Sequence, residues 1–227
     1  MKFGLVCSSG GSVFATAVEL LRHSGYKPRA FVVTDRSCGA EGKCEVLGIP
    51  WRRIGEPGRE EFSRKAAAWL YGENSVDWTC LLFSRLVSSE LFSRGPCVNI
   101  HPSLLPAFPG FGALSNALKS RSRFLGATAH VVDESIDAGT ILGQVTAPVP
   151  PGSSLEELER ISFAQKLYLF LSLWETAEKG RLERLMEGGE TPHNIRILPW
   201  ANPALDDPRI AAAFDGFLDK EGIAWVR

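Results

Sequence analysis

Lys2-Phe3-Gly4-Leu5-Val6-Cys7-Ser8-Ser9-Gly10-Gly11-Ser12-Val13 opens the chain with an apolar run, a glycine-serine turn and the start of an amphipathic segment that continues to His23. An apolar run followed by a turn and a 3.6-residue period reads as strand, turn and helix. Such a turn puts backbone amides and the positive end of a helix at the strand's carboxyl end, where an anion can sit. Gly10, Gly11, Ser12 and Val13 are therefore candidate substrate-binding positions. The glycine spacing is neither a full dinucleotide fingerprint nor a Walker loop, so an ordinary strand-to-helix turn stays equally open.

The same alternation repeats outward from that stretch. Ala30 to Thr34, Trp51 to Ile54 and Trp78 to Phe83 read as strands, and a short segment ending at Leu47 and the run Glu60 to Tyr71 read as helices, with Gly48 and Pro50 as punctuation. Strands alternating with helices predict an α/β fold built on a doubly wound, mostly parallel sheet. In such sheets ligands bind beyond the carboxyl ends of the strands, and the Gly10 turn, the Ser84-Arg85-Leu86-Val87 segment and Asn99 all fall there. Farther on, Ala113 to Ser120 reads as a helix and Leu125 to Val132 as a strand carrying His130. Asp133 to Gly139 reads as an acidic loop and Thr140 to Val149 as an apolar run closed by Pro150 and Pro151. Ser154 with Glu157 forms a capping box, and Leu158, Ile161, Tyr168 and Leu171 predict a long helix with one apolar face lying across the sheet. The reading divides the chain into a domain over 1–190 and a C-terminal extension over 191–227. The extension is expected to be an arm or partner-contacting tail, ending in a short helix near Ile210 to Leu218.

The chemistry concentrates in Asn99-Ile100-His101-Pro102-Ser103-Leu104-Leu105-Pro106-Ala107-Phe108-Pro109-Gly110, where three prolines within eight positions forbid both helix and ladder. Taken as facing opposite ways at a strand end, Asn99 and His101 would meet in one cleft only through the rigid turn that follows them. An amide, a histidine and an acid such as Asp137 suit acyl-level transfer to an amine: an N–H for an oxyanion, an imidazole for protons and a carboxylate to orient it. By residue type alone, a turn-capping Asn99 and a merely satisfied His101 remain open.

Totals narrow the partners. With 25 basic and 26 acidic residues the formal charge is −1, which provides no footprint for nucleic acid or a membrane surface. The five cysteines (Cys7, Cys38, Cys44, Cys80, Cys97) are odd in number and scattered, which fits reduced thiols rather than a disulfide framework or a zinc site. Neither the N-terminal run nor Leu167 to Trp174 is long enough for a signal or a bilayer span, so a soluble cytoplasmic protein without a metal is expected.

The run Asn99 to Gly110, then Gly126-Ala127-Thr128-Ala129-His130, then Asp137-Ala138-Gly139, resembles the folate-dependent formyltransferases, and within them the glycinamide ribonucleotide formyltransferases. The likeness extends over roughly Lys2 to Leu185. It implies the Rossmann-like formyltransferase fold, 10-formyltetrahydrofolate as co-substrate in one-carbon metabolism and purine biosynthesis, and Asn99, His101 and Asp137 as the catalytic set. It further implies that Arg85, Leu86 and Val87 line the pteridine pocket by their backbone. Asp133 to Asp137 would lie on the pocket's other side. His130 would act either near the folate or as a support for the Asp137 loop. The implied partners are folate and a small amine acceptor, with no nucleic acid or membrane; a homodimer is compatible.

The acceptor side departs from the resemblance. Val13 stands where those enzymes have an asparagine, and counting back four residues from Tyr168 puts Ala164, with Gln165 beside it, where they have an amine-binding glutamate. Glycinamide ribonucleotide, another amine such as an amino sugar, and water, as in a 10-formyltetrahydrofolate hydrolase, are thus all weighed as acceptors. A non-catalytic folate-binding regulator is weighed beside them. Transfer to methionyl-tRNA fits poorly, because the tail after Thr191 is short and acidic.

Overall fold

The computed structural model describes residues 1–149, 152–188, 201–202 and 205–223. Among these, eight strands form one sheet in the order β3-β2-β1-β4-β5-β6-β7-β8. The strands β1 (Lys2–Cys7), β2 (Arg29–Thr34), β3 (Trp51–Arg53), β4 (Trp78–Leu82) and β5 (Cys97–His101) run parallel, while β6 (Phe124–Val131), β7 (Ile141–Pro148) and β8 (Ala201–Asn202) continue the sheet antiparallel. The doubly wound, mostly parallel α/β reading holds. The antiparallel half was not foreseen.

Helices cover both faces. On one face α1 (Ser12–His23), α2 (Gly39–Leu47), α6 (Leu155–Glu178), α7 (Leu182–Met186) and α8 (Pro208–Glu221) pack over Phe3, Leu5 and Cys7 of β1. On the other, α3 (Arg59–Ala67), a π-helical turn (Ala68–Glu73) and α4 (Ser89–Phe92) pack over Val6, with Val33 of β2 and Leu81 of β4. The alternation of β1 thus fills two cores at once, which is why its residues are apolar without a break. The helix expected over Glu60 to Tyr71 is α only to Ala67. Beyond it the chain widens into the π turn, closed by Asn74 N–H to Trp69 O at 3.1 Å, and both Trp69 and Leu70 are buried.

The capping box of α6 is present in full: Ser154 N–H donates to Glu157 Oε2 at 2.7 Å and Glu157 N–H to Ser154 Oγ at 3.2 Å. The expectation of one apolar face fails beyond Leu167, because every residue from there to Glu175 is buried. The cause is coverage on several sides: α6 touches β5, β6 and β7 of the sheet and also α1, α5 (Ala113–Lys119), α7 and α8.

The boundary expected at 190/191 lies outside the described residues, as do Pro150 and Pro151. The described part of the extension is not a free arm. Ile210, Phe214 and Leu218 of α8 are buried in the core shared with α1 and α6, and the Glu175 carboxylate accepts from the N–H groups of Asp206 and Asp207 at 3.2 and 2.9 Å. No helix among the described residues is long and apolar enough to cross a membrane. The five cysteines are free, and burial pushes the Cys44 and Cys97 thiols up to about 12.

Candidate active site

A cleft of about 580 Å³ opens at the carboxyl ends of β1, β4 and β5. Strand order reverses between β1 and β4, and a crevice forms there because the two crossover connections leave in opposite directions. Its floor carries Asn99 and His101, and its walls come from the turn after β1, the segment 84–87, the turn after β5 and the acidic loop after β6.

Asn99 and His101 both belong to β5, two positions apart, so the pleat places them on the same face. The expectation that they face opposite ways is therefore wrong, and no turn is needed to bring them together. Asn99 pairs with His130 across the antiparallel β5–β6 ladder, with Asn99 Nδ2 3.1 Å from His130 Nε2. His130 Nδ1 faces the Val131 carbonyl at 3.0 Å, and because a carbonyl only accepts, Nδ1 is the donor there. Asp137 completes the cluster. Its Oδ2 lies 3.2 Å from His101 Nδ1 and accepts the Gly110 N–H at 2.7 Å, while its Oδ1 lies 3.4 Å from both Asn99 Nδ2 and His130 Nε2. The hydrogen bond with His130, the Gly110 N–H and the charge of His101 outweigh burial and hold the Asp137 carboxyl down to about 2. On its other side His101 Nε2 faces the Phe108 carbonyl at 2.9 Å.

The proline-rich turn is held from below rather than by its prolines alone. Thr128 Oγ1 accepts the Leu105 N–H at 3.0 Å and donates to Ser103 O at 2.7 Å, and Gln144 Nε2 donates to Leu105 O at 2.9 Å. Phe108 and Asp137 both adopt left-handed φ, 53° and 51°, a sparsely populated conformation for residues other than glycine. The acidic loop closes on Gly139, where an added Cβ would lie 2.0 Å from the Val131 carbonyl oxygen, so only glycine fits.

Gly11, Ser12 and Val13 line the cleft, whereas Gly10 does not and instead lies against Gly39. Gly11 precedes α1 with φ 67°, and Lys43 Nζ donates to Ser12 Oγ at 2.8 Å. Arg85, Leu86, Val87 and Asp133 also line it. The Arg85 guanidinium itself turns away, donating to Glu56 O at 3.1 Å and Pro57 O at 2.7 Å and reaching Asp35 at 3.4 Å. It clamps the loops behind the wall.

The count that put Ala164 at the acceptor end is corrected by the structure. Ala164 and Gln165 are buried away from the cleft, 1% and 0% exposed, and the α6 residue that reaches it is Lys166. Lys166 went unremarked in the sequence, although it is the one charge between Phe163 and Trp174. Arg59, Phe111 and Ile136, also lining, carried no comparable signal.

The formyl transferase family model matches residues 1–170. The chain is 38% identical over 163 residues to the trifunctional purine biosynthetic protein adenosine-3 of Gallus gallus, covering 66% of this chain and 16% of that protein. With its Homo sapiens counterpart it is 32% identical over 173 residues, 72% of this chain and 17% of that protein. The chain thus spans about a sixth of the length of these relatives. Among solved structures, glycinamide ribonucleotide transformylase 1 from Symbiobacterium toebii aligns with a TM-score of 0.70 at 27% identity, over 83% of this chain and 88% of that one. The transformylase 1 from Geobacillus kaustophilus aligns at 0.69 and 29%, over 82% and 99%. With the sheet order, the cleft and a match over residues 1–170 in agreement, the chain belongs to the formyl transferase family.

Proposed function

We propose that this chain is an enzyme that moves a formyl group from 10-formyltetrahydrofolate to the amine of a small-molecule acceptor, with residues 1–190 as the catalytic unit and 191–227 as an extension. The observation that carries the reading is the convergence of Asn99, His101 and Asp137 at the floor of one cleft. The cleft's volume of about 580 Å³ suits a folate-sized ligand. The half-exposed Leu86 and Ile136 offer apolar surface to a flat ring, and the 85–87 backbone and the Asp133 loop offer hydrogen-bonding groups on either side. The folate supplies an activated formyl carbon and a nitrogen leaving group; the protein supplies the rest.

Asn99 Nδ2–H would donate to the formyl oxygen as negative charge grows there, a contribution that strengthens in the transition state because the amide is already oriented by His130. His101, set between Asp137 and Phe108, would oppose the same charge in its protonated form, and in releasing its Phe108 contact would hand a proton to the departing nitrogen. Asp137 would keep the imidazole aligned and receive, through water, the proton lost by the attacking amine.

The acceptor named in the solved relatives is glycinamide ribonucleotide, which makes it the first to try. The protein should be incubated with 10-formyltetrahydrofolate and a panel of amines, with a no-amine control. Acceptor-dependent loss of the donor is expected, and Asn99→Ala or His101→Ala should slow it by about 10²–10³-fold while folate binding survives. Donor loss without any amine would favour the hydrolase, and undiminished turnover in either variant would sink the catalytic assignment.

A further inference from the structure

Residues 84–87 wall the cleft without belonging to a helix or a strand, so no backbone ladder fixes where they stand. Side chains fix it instead. Ser8 Oγ accepts the Ser84 N–H at 3.3 Å, Arg59 Nε donates to Val87 O at 2.9 Å, and Ser63 Oγ accepts the Ser88 N–H at 2.9 Å. The Arg85 guanidinium lies 5.4 Å from the centre of the Phe62 ring and ties the same segment to Glu56 O and Pro57 O.

The Ser8 and Arg85 ties meet at one group behind the wall, the Asp35 carboxylate. Asp35 directly follows β2, and its side chain is 1% exposed. It accepts the Ser8 hydroxyl proton and Arg85 Nη1 at 3.4 Å, and Arg36 closes it from outside with Nη2 at 2.6 Å. Burial alone would raise the Asp35 pKa, but the contacts with Arg36, Ser8 and Arg85 hold it below the ordinary value, so the group is an anion. A single buried carboxylate thus joins the loops that follow β1, β2, β3 and β4. Removing its charge leaves the largely buried Arg85 without a counter-ion.

We propose that Asp35 is a positioning residue for the formyl donor: through Ser8 and Arg85 it sets the 84–87 backbone where the folate ring binds, without itself touching the ligand. The inference rests on the reading of this wall as the folate side of the cleft. Asp35→Asn, Arg85→Met and the double variant are prepared in the full chain, with Ser8→Ala as a milder variant should Asp35→Asn fold poorly. Exchange of the Ser84 amide hydrogen is followed by NMR without ligand, and tetrahydrofolate binding by calorimetry. The kcat and the KM for 10-formyltetrahydrofolate are measured with the best amine of the panel.

Ser84 exchange is expected to be at least about tenfold faster in either single variant and in Ser8→Ala, with tetrahydrofolate bound about tenfold more weakly. The double variant loses nothing further, because the two side chains act as one tie. KM for the donor rises by about the same factor while kcat at saturation stays within about twofold, a split that general loss of structure would not give. Native exchange and affinity in Asp35→Asn, effects that add in the double variant, or a fall in kcat with KM unchanged would each overturn the proposal. If the wild type itself binds no tetrahydrofolate, the folate reading and the affinity claim fall together, whereas unchanged Ser84 exchange in Asp35→Asn sinks the tie alone.

Discussion

At Asp137 four groups converge on two carboxylate oxygens: the Gly110 amide, His101, Asn99 and His130. Because the folded carboxyl sits at about 2 against an ordinary 3.8, its ionised form favours the fold. That contribution is complete above the unfolded value and is lost as pH falls through about 2. The shift corresponds to about 2 kcal/mol. Urea unfolding of the wild type and Asp137→Asn should show the wild type more stable at pH 5, with the gap closing between about pH 4 and 2. A gap that stays constant over that window would contradict the linkage. Residue identity at this cluster was legible because amide, imidazole and carboxylate have so few alternative uses when grouped with a proline-rich turn. Direction was not. Asn99 and His101 share a face by simple strand alternation, and Lys166 rather than Ala164 meets the cleft, because a helix's rotation is set by what it packs against and not by its own spacing.

The elements follow the sequence closely where apolar periodicity is strong. The predicted limits of β1 match, and those of α1, β2 and β4 differ by one residue. What could not be read is strand direction, since parallel and antiparallel neighbours ask for the same alternation. The short α4, α7 and β8 are likewise too brief to carry a period. The loop between β6 and β7 depends on one position of contact. Gly139→Ala would drive its Cβ into the Val131 carbonyl, so the loop must move and take Asp137 with it. Such overpacking typically costs about 1–3 kcal/mol. The expected outcome is a folded protein with a slightly lower melting temperature and formyl transfer reduced at least about tenfold. Retention of full activity in Gly139→Ala would mean that Asp137 can reach His101 from a displaced loop.

Across the whole molecule, two apolar layers flank the sheet, and α8 belongs to one of them. Phe214 is 2% exposed and packs edge-on against Tyr168 at 5.3 Å between ring centres. Phe214→Ala should destabilise the chain by about 3–5 kcal/mol in urea unfolding, whereas a change within 0.5 kcal/mol would be expected of a loosely attached arm. Composition alone missed this, because proline and acidic clusters mark a change of path but do not say where the path returns. The position of β5, with a parallel neighbour on one side and an antiparallel one on the other, bears on heredity as well as on architecture. Asn99 reaches His130 and Asp137 across only 31 and 38 positions, within one continuous stretch of chain, while the facing wall is assembled from Ser12 near one end and Lys166 far along. Substitutions in α1 and α6 can therefore accumulate without touching that stretch. A descendant of such a gene can change the molecule it serves while inheriting intact the machinery for the group it delivers.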